Sequence, residues 1–304
     1  MEYVLQVQGL TKKYQRNIVI NDLHMNVPKG AIYGFVGKNG AGKTTLIRLI
    51  CGLQEPTAGE YILYGTKHSD TDILASRRRI GAVIEGPSIY MNMTAEDNLK
   101  VQYRMLGLPS FDGISELLQL VGLEHTGNKK AKHFSLGMRQ RLGIAVALCG
   151  DPDFLVLDEP INGLDPKGII EMRELILKLN REQQITVLIS SHILDELARL
   201  ATHYGFIDNG KMIQEISSTE LEKVFRKCIR IQVSNMGALT RVLDMMQLEY
   251  TVVSEQVANV FGELKITPLI LKLAEQHCHV LSIHELDESL EHYYLNIVGG
   301  ADHA

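Results

Sequence analysis

Apolar and polar residues alternate through the first thirty positions of the chain. The stretch Leu5-Gln6-Val7-Gln8 and the stretch from Asp22 to Val27 both follow this pattern. A period of two predicts half-exposed β-strands, which we expect to pair antiparallel. After the turn Pro28-Lys29-Gly30, the run Ala31 to Val36 is almost continuously apolar. Such a run is typical of a strand buried on both faces of a parallel sheet.

The middle of the chain alternates between helical and strand patterns. Residues from Thr94 to about Gly150 are predicted to be helical, beginning with a capping-box pattern at Thr94 and Asp97. Two further buried strands are predicted at Phe154-Leu155-Val156-Leu157 and at Ile185 to Ile189, with a helix between them. This alternation favours a parallel sheet with crossover helices. The tripeptide Asp208-Asn209-Gly210 predicts a hairpin that closes the region.

A second unit is predicted after Ser217-Ser218-Thr219, where a linking helix leads into a new series of elements. We expect strand 229–233, helix 238–246, strands 250–253 and 257–261, helix 268–276 and strand 279–284. The order β-α-β-β-α-β is the ferredoxin-like pattern. The sequence leaves three roles open for this unit: it could sense a ligand, stabilise a dimer or brace a partner.

Composition narrows the class of protein. The 304 residues include 31 Lys and Arg and 36 Asp and Glu, a net charge of −5, which disfavours a nucleic-acid binder with a broad basic surface. We find no apolar run near the 18 residues that a membrane span needs, and the first residues lack a secretory signal pattern, so a cytosolic location is expected. Four well-separated cysteines favour neither a disulfide framework nor a zinc knuckle.

A phosphate-binding loop is the first candidate for chemistry. Gly37-Lys38-Asn39-Gly40-Ala41-Gly42-Lys43-Thr44 fits G-x-x-x-x-G-K-[ST] and lies between a predicted buried strand and a predicted helix. The helix is predicted from the spacing of Leu46, Leu49, Ile50 and Leu53, and it is expected to stop near Gly52 and Pro56. The glycines let backbone N–H groups turn towards phosphate oxygens, and the helix N-terminus adds its positive dipole end. In such loops Lys43 meets the β- and γ-phosphates, and the Thr44 hydroxyl is a ligand for Mg²⁺.

Two carboxylates end the next buried strand. Asp158 and Glu159 follow Phe154-Leu155-Val156-Leu157 and lie at the carboxyl edge, where open α/β sheets bind ligands. Asp158 is expected to hold Mg²⁺, and Glu159 to polarise the attacking water as general base. Taken alone, the pair could also be an ordinary acidic strand end.

Together with these motifs, the segment Phe134-Ser135-Leu136-Gly137-Met138 gives the sequence a family resemblance. The chain resembles the nucleotide-binding subunits of ABC transporters over residues 1 to about 220. The resemblance implies that Tyr14 stacks on adenine, that Asn162-Gly163-Leu164-Asp165 is the D-loop and that His192 contacts the γ-phosphate. It also adds Thr45 to the nucleotide-binding residues of the loop. Tyr14 could instead be a packing residue.

The resemblance also implies a fold and an assembly. We expect an α/β P-loop NTPase (RecA-like) core with an antiparallel β subdomain and a helical signature subdomain at about 87–150, all within residues 1–220. The accessory α+β (ferredoxin-like) domain at 221–304 is predicted from the order of its elements and lies outside the resemblance. Two cassettes are expected to form a head-to-tail dimer, in which Ser135, Gly137 and Asp165 of one chain face the ATP of the other. Ser135 is also a good N-cap for a helix, and Asp165 before Pro166 could equally be one.

Two departures from the family pattern point to one branch. The usual Leu-Ser-Gly-Gly-Gln is Phe134-Ser135-Leu136-Gly137-Met138 here, and Glu85 stands where most members have the Q-loop glutamine. Both changes resemble the bacitracin-resistance and lantibiotic-immunity branch. An ionised glutamate only accepts hydrogen bonds and adds a negative charge near Mg²⁺, so Glu85 is predicted to help ligate metal or position water. A substitution without consequence is the alternative.

We therefore predict the ATP-binding and ATP-hydrolysing subunit of an ABC exporter that uses ATP and Mg²⁺. It would drive a separate membrane permease, dock on it through the segment from Glu85 to Leu99, and lie on the inner face of the cell membrane. Resistance or immunity to antimicrobial peptides is the expected purpose. The alternatives are an exporter of a different substrate and a soluble ABC ATPase acting on ribosomes or DNA, although the chain has a single phosphate loop and no long heptad repeats.

Overall fold

The chain divides into two compact units, Met1–Ser218 and Thr219–Ala304. The computed structural model describes residues 2–224, 228–262, 264–286 and 290–299. Within those ranges, no helix is both long and apolar enough to cross a membrane.

The first unit contains ten strands and most of the described helices. In chain order, the strands are β1 (Tyr3–Tyr14), β2 (Asn17–Pro28), β3 (Ile32–Val36), β4 (Ala58–Leu63), β5 (Thr66–Lys67), β6 (Ile80–Val83), β7 (Phe154–Asp158), β8 (Thr186–Ser191), β9 (His203–Asp208) and β10 (Lys211–Ser217). The helices are α1 (Lys43–Ile50), α2 (Ile73–Arg77), α3 (Ala95–Leu106), α4 (Ile114–Leu120), α5 (Leu136–Leu148), α6 (Pro166–Gln183), α7 (Leu194–Ala198) and α8 (Ser218–Val224), the last of which crosses the boundary between the units.

A six-stranded sheet in the order β10-β9-β3-β8-β7-β6 forms the centre of the first unit. The pairs β9-β3, β3-β8, β8-β7 and β7-β6 are parallel, and only the hairpin pair β9-β10 is antiparallel. Strands β3, β7 and β8 are buried at every residue, as their apolar runs predict. Because they are parallel, their carboxyl ends lie at one edge of the sheet, with Asp158 beside Ser190.

A second, antiparallel sheet has the order β2-β1-β4-β5. The antiparallel pairing of β1 and β2 confirms the prediction made from the alternating pattern at the start of the chain. The helix after the phosphate loop ends near Gly52, as predicted, since α1 stops at Ile50. The predicted place of Leu53 on its apolar face is wrong, because Leu53 lies beyond the helix and is 65% exposed. Gly52 has a φ of 74°, and the N–H of Leu53 donates to the carbonyl of Arg48, which is a glycine-terminated helix end.

Helices α3, α4 and α5 form the predicted helical region, together with short 3₁₀ turns at Glu124–Thr126 and Ala131–His133. Thr94 caps α3 by accepting from the N–H of Asp97, as its capping-box pattern predicts. The Asn98 side chain, which is 3% exposed, fixes the loop before α3: it accepts from Tyr90 N at 2.7 Å and donates to Tyr90 O at 3.1 Å and Thr94 O at 2.8 Å.

The second unit consists of a four-stranded sheet and helices. Its elements are β11 (Cys228–Val233), α9 (Met236–Met245), β12 (Glu249–Ser254), β13 (Val257–Phe261), α10 (Ile266–Glu275), β14 (Val280–Leu286) and α11 (Leu290–Gly299). The sheet order is β12-β13-β11-β14, and each neighbouring pair is antiparallel. Alternate residues of β11, including Ile231 and Val233, pack with Leu239 and Val242 of α9 in a separate apolar core.

Candidate nucleotide-binding site

The loop between β3 and α1 has a backbone that requires glycine at two points. Gly40 has a φ of 83° and Gly42 a φ of 109°, both in the region that side-chain-bearing residues rarely adopt. A Cβ added to Gly42 would also lie 2.6 Å from Cδ1 of Ile20 in β2. The loop can therefore pass close to the antiparallel sheet only with glycine at this position.

A cavity of about 230 Å³ opens above this loop. Its lining contains five residues of the loop motif, which are Asn39, Gly40, Gly42, Lys43 and Thr44. Thr45, the predicted carboxylate Glu159 and Val19 complete the lining. The first amides of a helix have no intrahelical acceptor, so the start of α1 offers N–H donors to this space. A glycine-rich cradle at a helix N-terminus fits the phosphates of a nucleotide.

The motif residues outside the lining, which are Gly37, Lys38 and Ala41, support the cradle through their backbone carbonyls. The Lys43 ammonium group donates to the carbonyls of Gly37 at 2.6 Å and Lys38 at 3.2 Å, and lies 3.3 Å from Oε1 of Glu159. Lys43 is only 6% exposed, so its charge is held at the cavity by the loop itself. The carbonyl of Ala41 accepts from the N–H of Gly210, which ties the loop to the β9-β10 hairpin.

Asp158 is held by two hydroxyl groups. The Thr44 hydroxyl donates to Oδ2 at 2.8 Å, and the Ser190 hydroxyl donates to Oδ1 at 2.5 Å. The hydroxyl and carboxylate oxygens of Thr44 and Asp158 are hard donors of the kind Mg²⁺ takes together with substrate phosphates. These two residues therefore fit a magnesium ion bound with a nucleotide.

The Glu159 carboxylate lies between the Lys43 ammonium group and the His192 imidazole ring. Its Oε2 is 2.8 Å from Nδ1 of His192, and its Oε1 faces the Lys43 ammonium. The backbone of Glu159 has a φ of 51°, and its N–H is bonded to the hydroxyl of Ser190 at 3.0 Å. The turn after β7 thus directs the carboxylate into the cavity, which brings three predicted residues together: Lys43, Glu159 and His192.

Glu85 lies outside the cavity lining and is paired with a guanidinium group. It follows β6 and forms an ion pair with the Arg48 guanidinium on α1. It is not among the residues that line the cavity, and its side chain is 61% exposed. The structure therefore places this carboxylate at the correct edge of the sheet but holds it on Arg48.

The signature and D-loop residues lie together within one chain. Ser135 caps α5 by accepting from the N–H of Met138 at 3.2 Å, and Asp165 caps α6 by accepting from the N–H of Gly168 at 2.9 Å. Both N-caps were predicted as possible roles. The two segments approach each other, since a Cβ added to Gly137 would lie 3.7 Å from the Leu164 side chain. Neither segment lines the cavity.

Tyr14 is placed at the end of β1, also outside the cavity lining. Its hydroxyl donates to the Gln54 side chain, and its ring is 39% exposed. Sequence analysis missed two residues of the site, Val19 in the lining and Ser190 beside Asp158. No motif marks Val19, but a serine directly after the apolar run of β8, at the carboxyl edge of the sheet, is a signal that could have drawn attention to Ser190.

The geometry agrees with what known proteins show. The family described as ABC transporter matches residues 20–162. The chain is 41% identical to the bacitracin transport ATP-binding protein BcrA of Bacillus licheniformis, covering 99% of both chains, and 45% identical to the lantibiotic transport ATP-binding protein SrtF of Streptococcus pyogenes, covering 74% of this chain and 97% of that one.

Among solved structures, the ATP-binding cassette MJ0796, in a dimeric post-hydrolysis state bound to ADP and Pi, is similar with a TM-score of 0.63 and 25% identity. The similarity covers 70% of this chain and 98% of that one. The phosphate cradle and its carboxylates are thus set in a fold that a solved ATP-binding cassette shares. The chain belongs to the ABC transporter family as one of its ATP-binding subunits, and it is an ATPase.

Proposed function

We propose that this chain powers the export of antimicrobial peptides of the bacitracin or lantibiotic type through a separate membrane permease. The observation that carries the proposal is the length of the similarity. The bacitracin transport relative aligns over 99% of the chain, so the likeness includes the second unit as well as the cassette. A full-length likeness to transport subunits does not favour the alternative of a soluble ATPase acting on ribosomes or DNA.

We propose that Lys43, Glu159 and His192 carry the hydrolytic step. Lys43 would bind the β- and γ-phosphates, because the loop fixes its ammonium group at the cradle. Glu159 would accept a proton from the attacking water, and His192 would hold the γ-phosphate. In this structure the carboxylate of Glu159 contacts both Lys43 and His192, so phosphate binding would exchange those contacts and free it to act as a base.

The residues proposed for magnesium are Thr44 and Asp158. Bound Mg²⁺ would neutralise charge on the phosphates of ATP, while the hydroxyl of Thr44 and the carboxylate of Asp158 hold its position. Glu85 is proposed as a further residue that ligates the metal or positions water, because it lies after β6, the strand next to β7. If Glu85→Gln leaves the ATPase rate, its metal dependence and peptide resistance unchanged, this role is wrong.

We propose that ATP binding closes two cassettes head to tail. Ser135 and Gly137 of one chain would then face the nucleotide of the other, because the capped N-terminus of α5 directs N–H groups and a positive dipole end outward. Asp165 would act across the same interface. Glu159→Gln, which can bind ATP but lacks the base, should elute as a dimer with ATP and as a monomer without it. A monomer under both conditions would contradict the proposal.

The permease is the proposed means of attachment to the inner face of the cell membrane. We propose the segment from Glu85 to Leu99 as the docking site, because it joins the catalytic edge of the sheet to α3. The loop before α3 in this segment is held in place, because the Asn98 side chain bonds to the backbone N–H and carbonyl of Tyr90. Tyr90 itself is 52% exposed, so it can contact a partner.

We propose a domain division at residues 1–220 and 221–304, with a helical subdomain at about 87–150. The second domain is proposed to be ferredoxin-like: the strand order β12-β13-β11-β14, with one helix after β11 and one after β13, supports this fold. Truncation after about residue 222 tests its role. Unchanged ATPase activity, dimerisation and peptide resistance would leave it without a part in any of them.

The proposed export activity is tested by purifying the chain with its permease and measuring ATP hydrolysis across a series of peptides. We expect bacitracin or a lantibiotic to stimulate hydrolysis, with Glu159→Gln in the same complex as the matched control. In cells, the wild-type chain expressed with its permease should raise resistance to the peptide, and the Glu159→Gln chain expressed with the same permease should not. Stimulation only by unrelated compounds would overturn the substrate class while leaving the ATPase assignment intact.

A further inference from the structure

Arg48 connects the phosphate-loop helix to the segment after β6. It lies four residues after Thr44 in α1, so the two side chains share one face of the helix, a turn apart. The Arg48 guanidinium donates to Oε1 of Glu85. Val83 pairs with Leu157 in register, so Glu85 belongs to the same sheet edge as Asp158 and Glu159.

The charges at this edge show what Arg48 contributes. Three carboxylates, those of Glu85, Asp158 and Glu159, follow neighbouring strands. Glu159 is paired with Lys43, and Asp158 accepts hydrogen bonds from the hydroxyls of Thr44 and Ser190. Arg48 supplies the positive charge that pairs with Glu85.

The backbone turns at Glu85, just after β6. Glu85 has a φ of 60° and Gly86 a φ of 144°, so two successive residues turn through conformations that are uncommon for residues other than glycine. The pair itself is well exposed, at 31% for Arg48 and 61% for Glu85. Exposed ion pairs add little to stability, so a role in folding does not account for the arrangement.

We propose that Arg48 is a positioning residue that competes with Mg²⁺ for the Glu85 carboxylate and thereby sets the metal affinity of the nucleotide-bound protein. The inference rests on the proposed role of Glu85 at that site. A carboxylate engaged by a guanidinium is less available to a metal than a free one. Loss of Arg48 should therefore release Glu85 towards Mg²⁺ and strengthen metal binding.

The test is a double-mutant cycle on the full-length protein. A fluorescent, non-hydrolysable ATP analogue reports nucleotide binding while MgCl₂ is titrated into wild type, Arg48→Gln, Glu85→Gln and the double variant. We expect Arg48→Gln to lower the half-saturating Mg²⁺ concentration about two- to fivefold, the scale on which an exposed ion pair can compete for the Glu85 carboxylate. The same substitution should have no effect once Glu85 is replaced by Gln.

Arg181→Gln is the matched control, because Arg181 is also a cation in the last turn of a helix, near the opposite edge of the sheet. It should leave the half-saturating Mg²⁺ concentration unchanged. An equal shift by Arg48→Gln in both backgrounds would mean that Arg48 acts through its charge alone, and would overturn the inference. If Glu85→Gln shifts the titration but Arg48→Gln does not, the inference fails while the role of Glu85 stands. If no variant shifts it, both fail.

Discussion

Ser190→Ala should weaken the magnesium site without removing any proposed ligand. The Ser190 hydroxyl is fully buried and donates to Asp158 at 2.5 Å, one of the two hydroxyl bonds that hold this carboxylate. It also accepts from the N–H of Glu159, but that N–H keeps a second acceptor in the Ser190 carbonyl at 3.2 Å. The loss therefore falls mainly on Asp158.

The size of the effect follows from the type of bond. A hydrogen bond to a charged group contributes about 1.5–3 kcal/mol, and the alanine methyl group fills nearly the same volume, so we expect the first unit to lose about 2 kcal/mol of stability. Hydrogen exchange of the backbone amides in β7 and β8 measures the stability of that unit directly. Because Asp158 loses one support, the Mg²⁺ concentration for half-maximal ATP hydrolysis should rise about tenfold.

Ser191→Ala provides the comparison. Ser191 is equally buried in the same strand, but its hydroxyl bonds to the backbone of Ile193 instead of to a carboxylate. It should lower stability by about 1 kcal/mol and leave the half-maximal Mg²⁺ concentration unchanged. A Ser190→Ala protein with wild-type metal dependence would refute the reasoning that Ser190 orients Asp158.

Three further outcomes are expected. Asn98→Ala should cost about 2–3 kcal/mol, because three buried hydrogen bonds to the loop before α3 are lost, and a urea midpoint equal to that of wild type would contradict this. Gly42→Ala should abolish binding of a fluorescent ATP analogue, because its φ of 109° and its approach to Ile20 exclude a side chain; retained binding would show that the loop tolerates one. Burial raises the pKa of both the Cys51 and Cys149 thiols to about 12, so at pH 8 both stay protonated in the native protein. Both thiols should therefore resist alkylation until urea is added, which mass spectrometry can follow. Fast labelling of the native protein would contradict their burial.

Much of the central sheet could be predicted because its signals are local. The strands β3, β7 and β8 are short apolar runs, and the hairpin at Asp208-Asn209-Gly210 uses residues that accept a positive φ, as Asn209 and Gly210 do at 47° and 76°. The strand β4 carries no comparable run, and its pairing with β1 depends on contacts distant in sequence. It could not be assigned from local pattern alone.

The site shows the same division between local and distant information. The phosphate loop and the acidic strand end are contiguous motifs, so the sequence alone identifies Lys43 and Glu159. The structure adds their proximity, with the Lys43 ammonium 3.3 Å from Oε1 of Glu159. The partner of Glu85 could not be identified in this way, because Arg48 lies 37 residues away and has no motif of its own. Ser190 was missed for a related reason, since its role depends on the register of β8 against β7.

The most direct test of the central claim is single-turnover hydrolysis of ATP by wild type and Glu159→Gln, with nucleotide binding measured on the same samples. If Glu159 is the base of this ATPase, the variant should bind ATP as wild type does and hydrolyse it at least about a hundredfold more slowly, the scale of a lost general base. Hydrolysis at the wild-type rate by a variant that binds ATP normally would contradict the account.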